Sequence, residues 1–305
     1  MPSTMVSGLF ALVLMLLSVQ STAPPGTVES AEEWTARGFE SLRRGEAQAA
    51  ESDFRKAVEL EPARGEGHFG LGMALRVQRQ DESAQKELEL AIQLMPEVAA
   101  PHAALAELLL AKGNPNAARA LFERTVSLDP KDAKSRYRLA VLLTDVAEAK
   151  RSVELLEESL KLQPDLDAAR EQLGLQALRH GDLNATYLQA NTILRSRPRS
   201  AEGHRLMALA LWRQRDTESA LAECAEAQAA DPSSTSMMAL EAVGLWKLDR
   251  KKDAQRALKS AYKAEPQVLK NEFFCRLILC DAADIGLVND FLKRNRWAVL
   301  PPPAP

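Results

Sequence analysis

The sequence predicts an all-α solenoid, and three observations carry that prediction. Seven prolines, Pro62, Pro96, Pro130, Pro164, Pro198, Pro232 and Pro266, fall 34 residues apart through six consecutive intervals. Small residues recur in the same register, and the apolar positions between them are spaced by three, four and seven residues. That spacing draws one apolar stripe on each of two helices per interval. A fixed period of this length is the signature of a stacked repeat array.

Counting each unit so that its proline is position 32 gives units at 31–64, 65–98, 99–132, 133–166, 167–200, 201–234 and 235–268. Position 8 is small throughout, from Gly38 and Gly72 to Gly174 and Ala242, and position 20 likewise, from Ala50 and Ala84 to Thr186 and Ala254. Small side chains there let two helices approach closely. Position 24 is bulky in Phe54, Leu88, Phe122, Leu156 and Leu258, with Ala190 and Cys224 the weaker cases. Turn-forming Gly45, Gly113 and Gly181 fall near position 15, between the stripes. Proline at position 32 lacks an N–H and clashes with the preceding turn, so it ends the second helix.

The first unit carries Trp34, Gly38, Ala50, Phe54, Ala57 and Pro62, and in this spacing it resembles the tetratricopeptide repeat (TPR). The resemblance spans 31–268. It implies a right-handed α-solenoid of seven helix pairs whose first helices line a concave face, with positions 2, 5, 9 and 12 pointing into it. On that basis the candidate protein-binding groove is Phe39, Phe69, Met73, Tyr137, Val141, Leu175, Arg205, Leu209, Trp212, Val243 and Trp246, mostly apolar with scattered charge. Trp212 and Trp246 recur one repeat apart at a nominally exposed position and are expected to form a strip with Leu209 and Val243. The Lys and Asn pair with which some members clamp a C-terminal carboxylate, at positions 5 and 9, is absent from every unit.

Outside the array, residues 5–19 form an apolar run too short for a membrane span of about 20 residues. With the small residues that follow, it reads as a secretory signal over 1–23, cleaved after Ser21 or Ala23. The expected location is periplasmic or secreted, with no membrane span once the signal is removed; the alternative is a retained N-terminal anchor. Residues 24–30 read as a linker. Arg37 and Ser41 replace apolar residues in the first unit and read as a solubilising cap. Residues 269–297 read as a degenerate capping helix pair, built on Leu269, Phe273, Leu277 and Leu279 and then on Ile285, Leu287, Val288, Phe291 and Leu292. The segment 298–305 reads as a Pro-rich disordered tail.

Composition and motifs bear on function. With 39 basic and 42 acidic residues, the chain lacks the basic excess that neutralises phosphates, which argues against nucleic acid. His68, His102 and His204 all stand at position 4, where the repeat pattern puts an aromatic packing residue, so a repeated structural role accounts for them without a metal. Cys224 stands at core position 24, and Cys275 and Cys280 lie five apart on one predicted helix, a poor geometry for a disulfide. Asn184-Ala185-Thr186 matches a glycosylation sequon, but Thr186 is a packing position. No HExxH, phosphate-cradling glycine loop or hydrolase elbow occurs, and no segment is left to hold a catalytic domain. The expectation is a non-catalytic scaffold without cofactor that binds a protein or peptide; the alternatives are a self-assembling structural protein of the cell envelope and, after it, a metal-binding or enzymatic protein.

Overall fold

The computed structural model describes residues 29–143, 146–278, 280 and 282–295. The expected signal, most of the linker and the Pro-rich tail lie outside them. The chain divides into two compact units, one ending at Asn114 and the other beginning at Pro115. The division falls between the two helices of the unit expected at 99–132.

The first compact unit contains α1 (Ala31–Arg43), α2 (Ala47–Leu60), α3 (Gly65–Val77), α4 (Asp81–Leu94) and α5 (Ala99–Ala111). Each helix packs on the next, and α1 also packs on α3. The second contains α6 (Pro115–Leu128), α7 (Ala133–Leu142), α8 (Ala149–Leu162), α9 (Asp167–Arg179), α10 (Leu183–Ser196), α11 (Ala201–Arg213), α12 (Thr217–Ala230), α13 (Thr235–Lys247), α14 (Lys251–Ala264), α15 (Asn271–Ile278) and α16 (Ala282–Asn295). Short 3-10 turns lie at Val146–Glu148 and Pro266–Leu269. Neighbouring helices again pack in chain order, α9 packs on α11, and α13 receives both α15 and α16. No strand occurs among the described residues. The fold is an α-solenoid of stacked helix pairs.

The 34-residue period reappears in the helix boundaries. First helices begin at Ala31, Gly65, Ala99, Ala133, Asp167, Ala201 and Thr235, and second helices end at Leu60, Leu94, Leu128, Leu162, Ser196, Ala230 and Ala264, each 34 residues after its predecessor. The proline sets the second series. The ring disfavours helical backbone in the residue before it, and Glu61, Met95, Gln163, Arg197 and Asp231 all take φ between −131° and −134° with positive ψ. Side-chain caps open several helices: Ser30 Oγ accepts from Glu33 N while the Glu33 carboxylate accepts from Ser30 N, and Asp132, Asp182 and Asp216 accept from the third residue onward.

Among the described residues, the turn between the two helices carries one left-handed residue in six of the pairs. Gly45, Gly113 and Gly181 supply it at φ between 76° and 80°. At the same register position Arg79, Arg215 and Asp249 adopt φ of 63°, 70° and 59°, so the turn conformation is retained where glycine is not. Position 8 is small for a sharper reason than close approach of two backbones. A Cβ on Gly38 would stand 2.7 Å from the Phe54 ring and one on Gly72 2.8 Å from Leu88 Cγ, so the bulky residue at position 24 occupies the space itself. Phe54 and Leu88 are fully buried, which stabilises each pair by about 1.5–3 kcal/mol.

At the start of the array the expected cap is only half solvent-facing. Arg37 is partly exposed and ion-pairs with Glu29 and Asp53, with its guanidinium 3.5 Å over the Trp34 ring. Ser41 is buried, its hydroxyl donating to Asp53.

Candidate protein-binding face

The three histidines at position 4 prove to be hydrogen-bonding pins rather than aromatic-type fillers. His68 Nε2 lies 2.8 Å from the carbonyl of Pro62 and Nδ1 lies 2.7 Å from Glu87 Oε2. His204 repeats the arrangement with Pro198 at 3.0 Å and Glu223 at 2.7 Å. His102 keeps the bond to Pro96 at 3.0 Å. Leu121 stands where Glu87 and Glu223 stand in their units, and the buried Nδ1 of His102 has no partner among the described residues. Arg170, also at position 4, donates to the Pro164 carbonyl. The pin thus ties four of the first helices, α3, α5, α9 and α11, to the proline that closed the preceding pair. Burial would lower the His204 pKa, but the hydrogen bonds to Glu223 and Pro198 outweigh it and hold the ring above its ordinary value. Among the described residues no group of three or more His, Cys, Asp or Glu could hold a metal ion, and no helix is long and apolar enough to cross a membrane.

The candidate groove residues fall into two sets. In the first compact unit Phe39 is 37 % exposed, Phe69 and Met73 are half-buried, and the Phe39 and Phe69 rings lie 6.1 Å apart. Early in the second, Val141 is 40 % exposed and Tyr137 half-buried. A cavity of about 420 Å³ adjoins Val141, lined also by Gln172, Gln176 and Arg179.

Farther along, the expected exposed strip is not there. Leu175, Leu209, Trp212 and Val243 are buried in one hydrophobic core, and Trp246 is half-buried against it. Trp212 is 1 % exposed. At the two tryptophans the covering element is the C-terminal helix pair, which packs on α13. Asp284, in the first turn of α16, accepts from Trp212 Nε1 at 3.2 Å and from Arg215 Nη1 at 2.5 Å. One helical stretch on, Phe291 meets Trp246 at 5.8 Å between ring centroids and Phe274 at 5.9 Å. Asn295 accepts from Gln255 of α14 at 3.0 Å. So α16 lies across the C-terminal ends of α11 and α13. Arg205 is not free either: it ion-pairs with the buried Glu171, 34 residues earlier. Burial raises the Glu171 pKa, and Arg205 offsets part of that rise.

The capping pair also differs in detail from its expected stripe. Phe274, and not Phe273, is fully buried in α15, and Ile285 is 48 % exposed while Asp284 is enclosed. Cys275 and Cys280 do not share one helix. The helix ends at Ile278, and Cys280 N donates to Cys275 O at 2.9 Å across the helix end. Cys224 is buried with its sulfur 3.8 Å from Met237 Sδ, and burial pushes its thiol pKa far up.

Two family models, each described as tetratricopeptide repeat, match the sequence: one at 36–101 and 165–235, the other at 109–178. Together they cover well over half of the chain. This chain is a tetratricopeptide repeat protein. Among curated proteins none matches it. Among solved structures, a tetratricopeptide repeat protein from Parabacteroides merdae ATCC 43184 superimposes with a TM-score of 0.63 at 14 % identity, covering 86 % of this chain and 98 % of that one. Pseudomonas aeruginosa PilF gives 0.58 at 15 % identity, covering 66 % and 92 %. PilW, a type IV pilus biogenesis factor, gives 0.56 at 17 % identity, covering 66 % and 94 %. At these identities the likeness is one of fold. Tetratricopeptide folds serve in general as protein-interaction scaffolds and are generally non-catalytic.

Proposed function

We propose that this chain is a non-catalytic scaffold, exported to the periplasm or secreted, that holds an amphipathic helix or extended peptide against the faces of its first helices. The observation that carries this reading is α16 itself. An amphipathic helix already lies across α11 and α13, with an aromatic anchor on Trp246 and a carboxylate on Trp212 and Arg215. First-helix faces of this sequence therefore have the chemistry to receive a helix, as helix-in-groove recognition requires. In the first compact unit the corresponding apolar side chains, Phe39, Phe69 and Met73, are the ones left for a partner. Export rests on the apolar run at 5–19.

Site-specific photocrosslinking in the native compartment tests the binding face. A photoreactive residue at Phe39 or Phe69 should yield one discrete adduct. The same residue at Leu60 or Leu188, which are apolar and more exposed than Phe39 but lie on second helices, should yield none. Equal capture at all four positions would reduce the face to general stickiness. N-terminal sequencing of the native protein tests export: a mature start near Thr22 is expected, and an intact Met1 or Pro2 would remove that part of the proposal.

A further inference from the structure

The segment that buries Trp212 is built less like a permanent cap than like a ligand. Along α16 the enclosed side chains are Asp284, Val288, Phe291, Leu292 and Asn295, all at most 1 % exposed. Their spacing of four, three, one and three residues places them on one helical face. Ile285, Asn289, Lys293 and Arg294 on the other side are exposed. The enclosed face is keyed by charge: a fully buried carboxylate spans the Trp212 indole N–H and the Arg215 guanidinium.

Two features of this key point to exchange. Asp284 is fully buried while the Arg215 side chain is 41 % exposed, so the pair adds little net stability over an apolar filling, yet an enclosed carboxylate is tolerated only where these donors meet it. That is a property of recognition more than of cohesion. The second feature is Gly286, in the interior of α16 with open space around its Cα, where no neighbour requires the absence of a Cβ. Glycine weakens a helix interior, so α16 is held with less helical stability than its contacts demand.

We infer that Trp212, Arg215 and Trp246 form a receptor site for an amphipathic helix carrying a carboxylate one turn ahead of its apolar residues, that α16 is the resident occupant, and that a partner helix of the same pattern exchanges with it. This deepens the scaffold reading by naming what one face recognises. The partner pattern is read from α16: Asp or Glu, apolar residues four, seven and eight positions later, then an amide.

The test uses the full chain and a fluorescently labelled peptide of residues 282–295 as probe, with anisotropy for binding and hydrogen exchange for the state of the protein. Val288→Ala with Phe291→Ala alters the resident helix and leaves the receptor residues untouched. It should release 282–295 to fast exchange, preserve protection in α11 and α13, and bind the peptide saturably. A peptide with Asp284→Asn should bind at least tenfold more weakly. Gly286→Ala in the full chain strengthens the resident helix, and should weaken peptide binding about fivefold relative to the unaltered chain. The inference is overturned if the released chain ignores the peptide, if the Asn peptide binds equally, or if release also strips protection from α11 and α13, which would make α16 an integral part of the core. None of these results touches Phe39 or Phe69, so failure here leaves the scaffold reading to its own crosslinking test.

Discussion

Truncating Trp212 to alanine tests the placement of its side chain most directly. The indole is 1 % exposed and fully enclosed in the core that joins α11, α13 and the C-terminal pair. Removing it forfeits burial and leaves a cavity, together about 3–5 kcal/mol. It also strips Asp284, itself 0 % exposed, of its indole donor, a loss of about 1–3 kcal/mol for a buried acceptor. A total of about 5 kcal/mol, at roughly 2–4 °C per kcal/mol for a unit of this size, lowers the melting temperature by about 10–20 °C. Trp212→Phe separates the two contributions: it keeps most of the ring volume and loses the donor, so its effect is about 1–3 kcal/mol. Circular dichroism melts of the three proteins supply the numbers, and hydrogen exchange of 282–295 shows whether α16 loosens first. A Trp212→Ala protein melting within a few degrees of the unaltered chain, with α16 still protected, would place the indole outside the core and refute the reasoning.

Three further outcomes follow from the same geometry. Arg79→Gly should stabilise the first compact unit by about 1 kcal/mol and Gly45→Ala should destabilise it by a similar amount, since both turns hold φ above 60° and Gly45 meets no steric neighbour; chemical denaturation showing the same sign for both would contradict the strain argument. Gly70→Ala should destabilise by about 1–3 kcal/mol or more, because a Cβ there would fall 2.1 Å from the fully buried Phe54 ring; a neutral substitution would mean that the ring moves freely. The His204 pin predicts a pH dependence of definite sign. Its folded-state pKa is raised, so its contribution is complete below the unfolded value of about 6.5 and is lost as pH rises through the folded one; the stability difference between the unaltered chain and His204→Gln should therefore shrink between pH 5.5 and 8.5, and a flat difference would rule the pin out as a titrating contact.

The repeat architecture was legible because every rule behind it is local. Proline at a fixed interval forces its predecessor out of the helical region whatever surrounds it, so second helices end on the 34-residue register; glycine or a tolerated left-handed residue makes most of the turns within pairs, and α7, where position 15 is Ala147 without that backbone, stops three residues early. The position-4 histidines were recognised as structural from their register alone. Their actual bonds, to a carbonyl six residues back and a carboxylate nineteen ahead, needed coordinates. At the cysteines a single assumption failed: treating 275–280 as one helix missed a helix end that brings the two residues together.

The sequence by itself determined the fold and the count of helix pairs in register, because periodic burial is written into each unit separately. Which part of the first-helix face stays open was decided only in three dimensions. Trp212 and Asp284 lie 72 residues apart, a separation that belongs to no multiple of the repeat and that periodicity cannot anticipate. A tryptophan at a nominally exposed position reads the same in sequence whether solvent, a partner or the protein's own last described helix covers it. The physical difference is the complementary face that α16 brings, a carboxylate for the indole N–H and a phenyl ring for Trp246, and only tertiary packing brings it there.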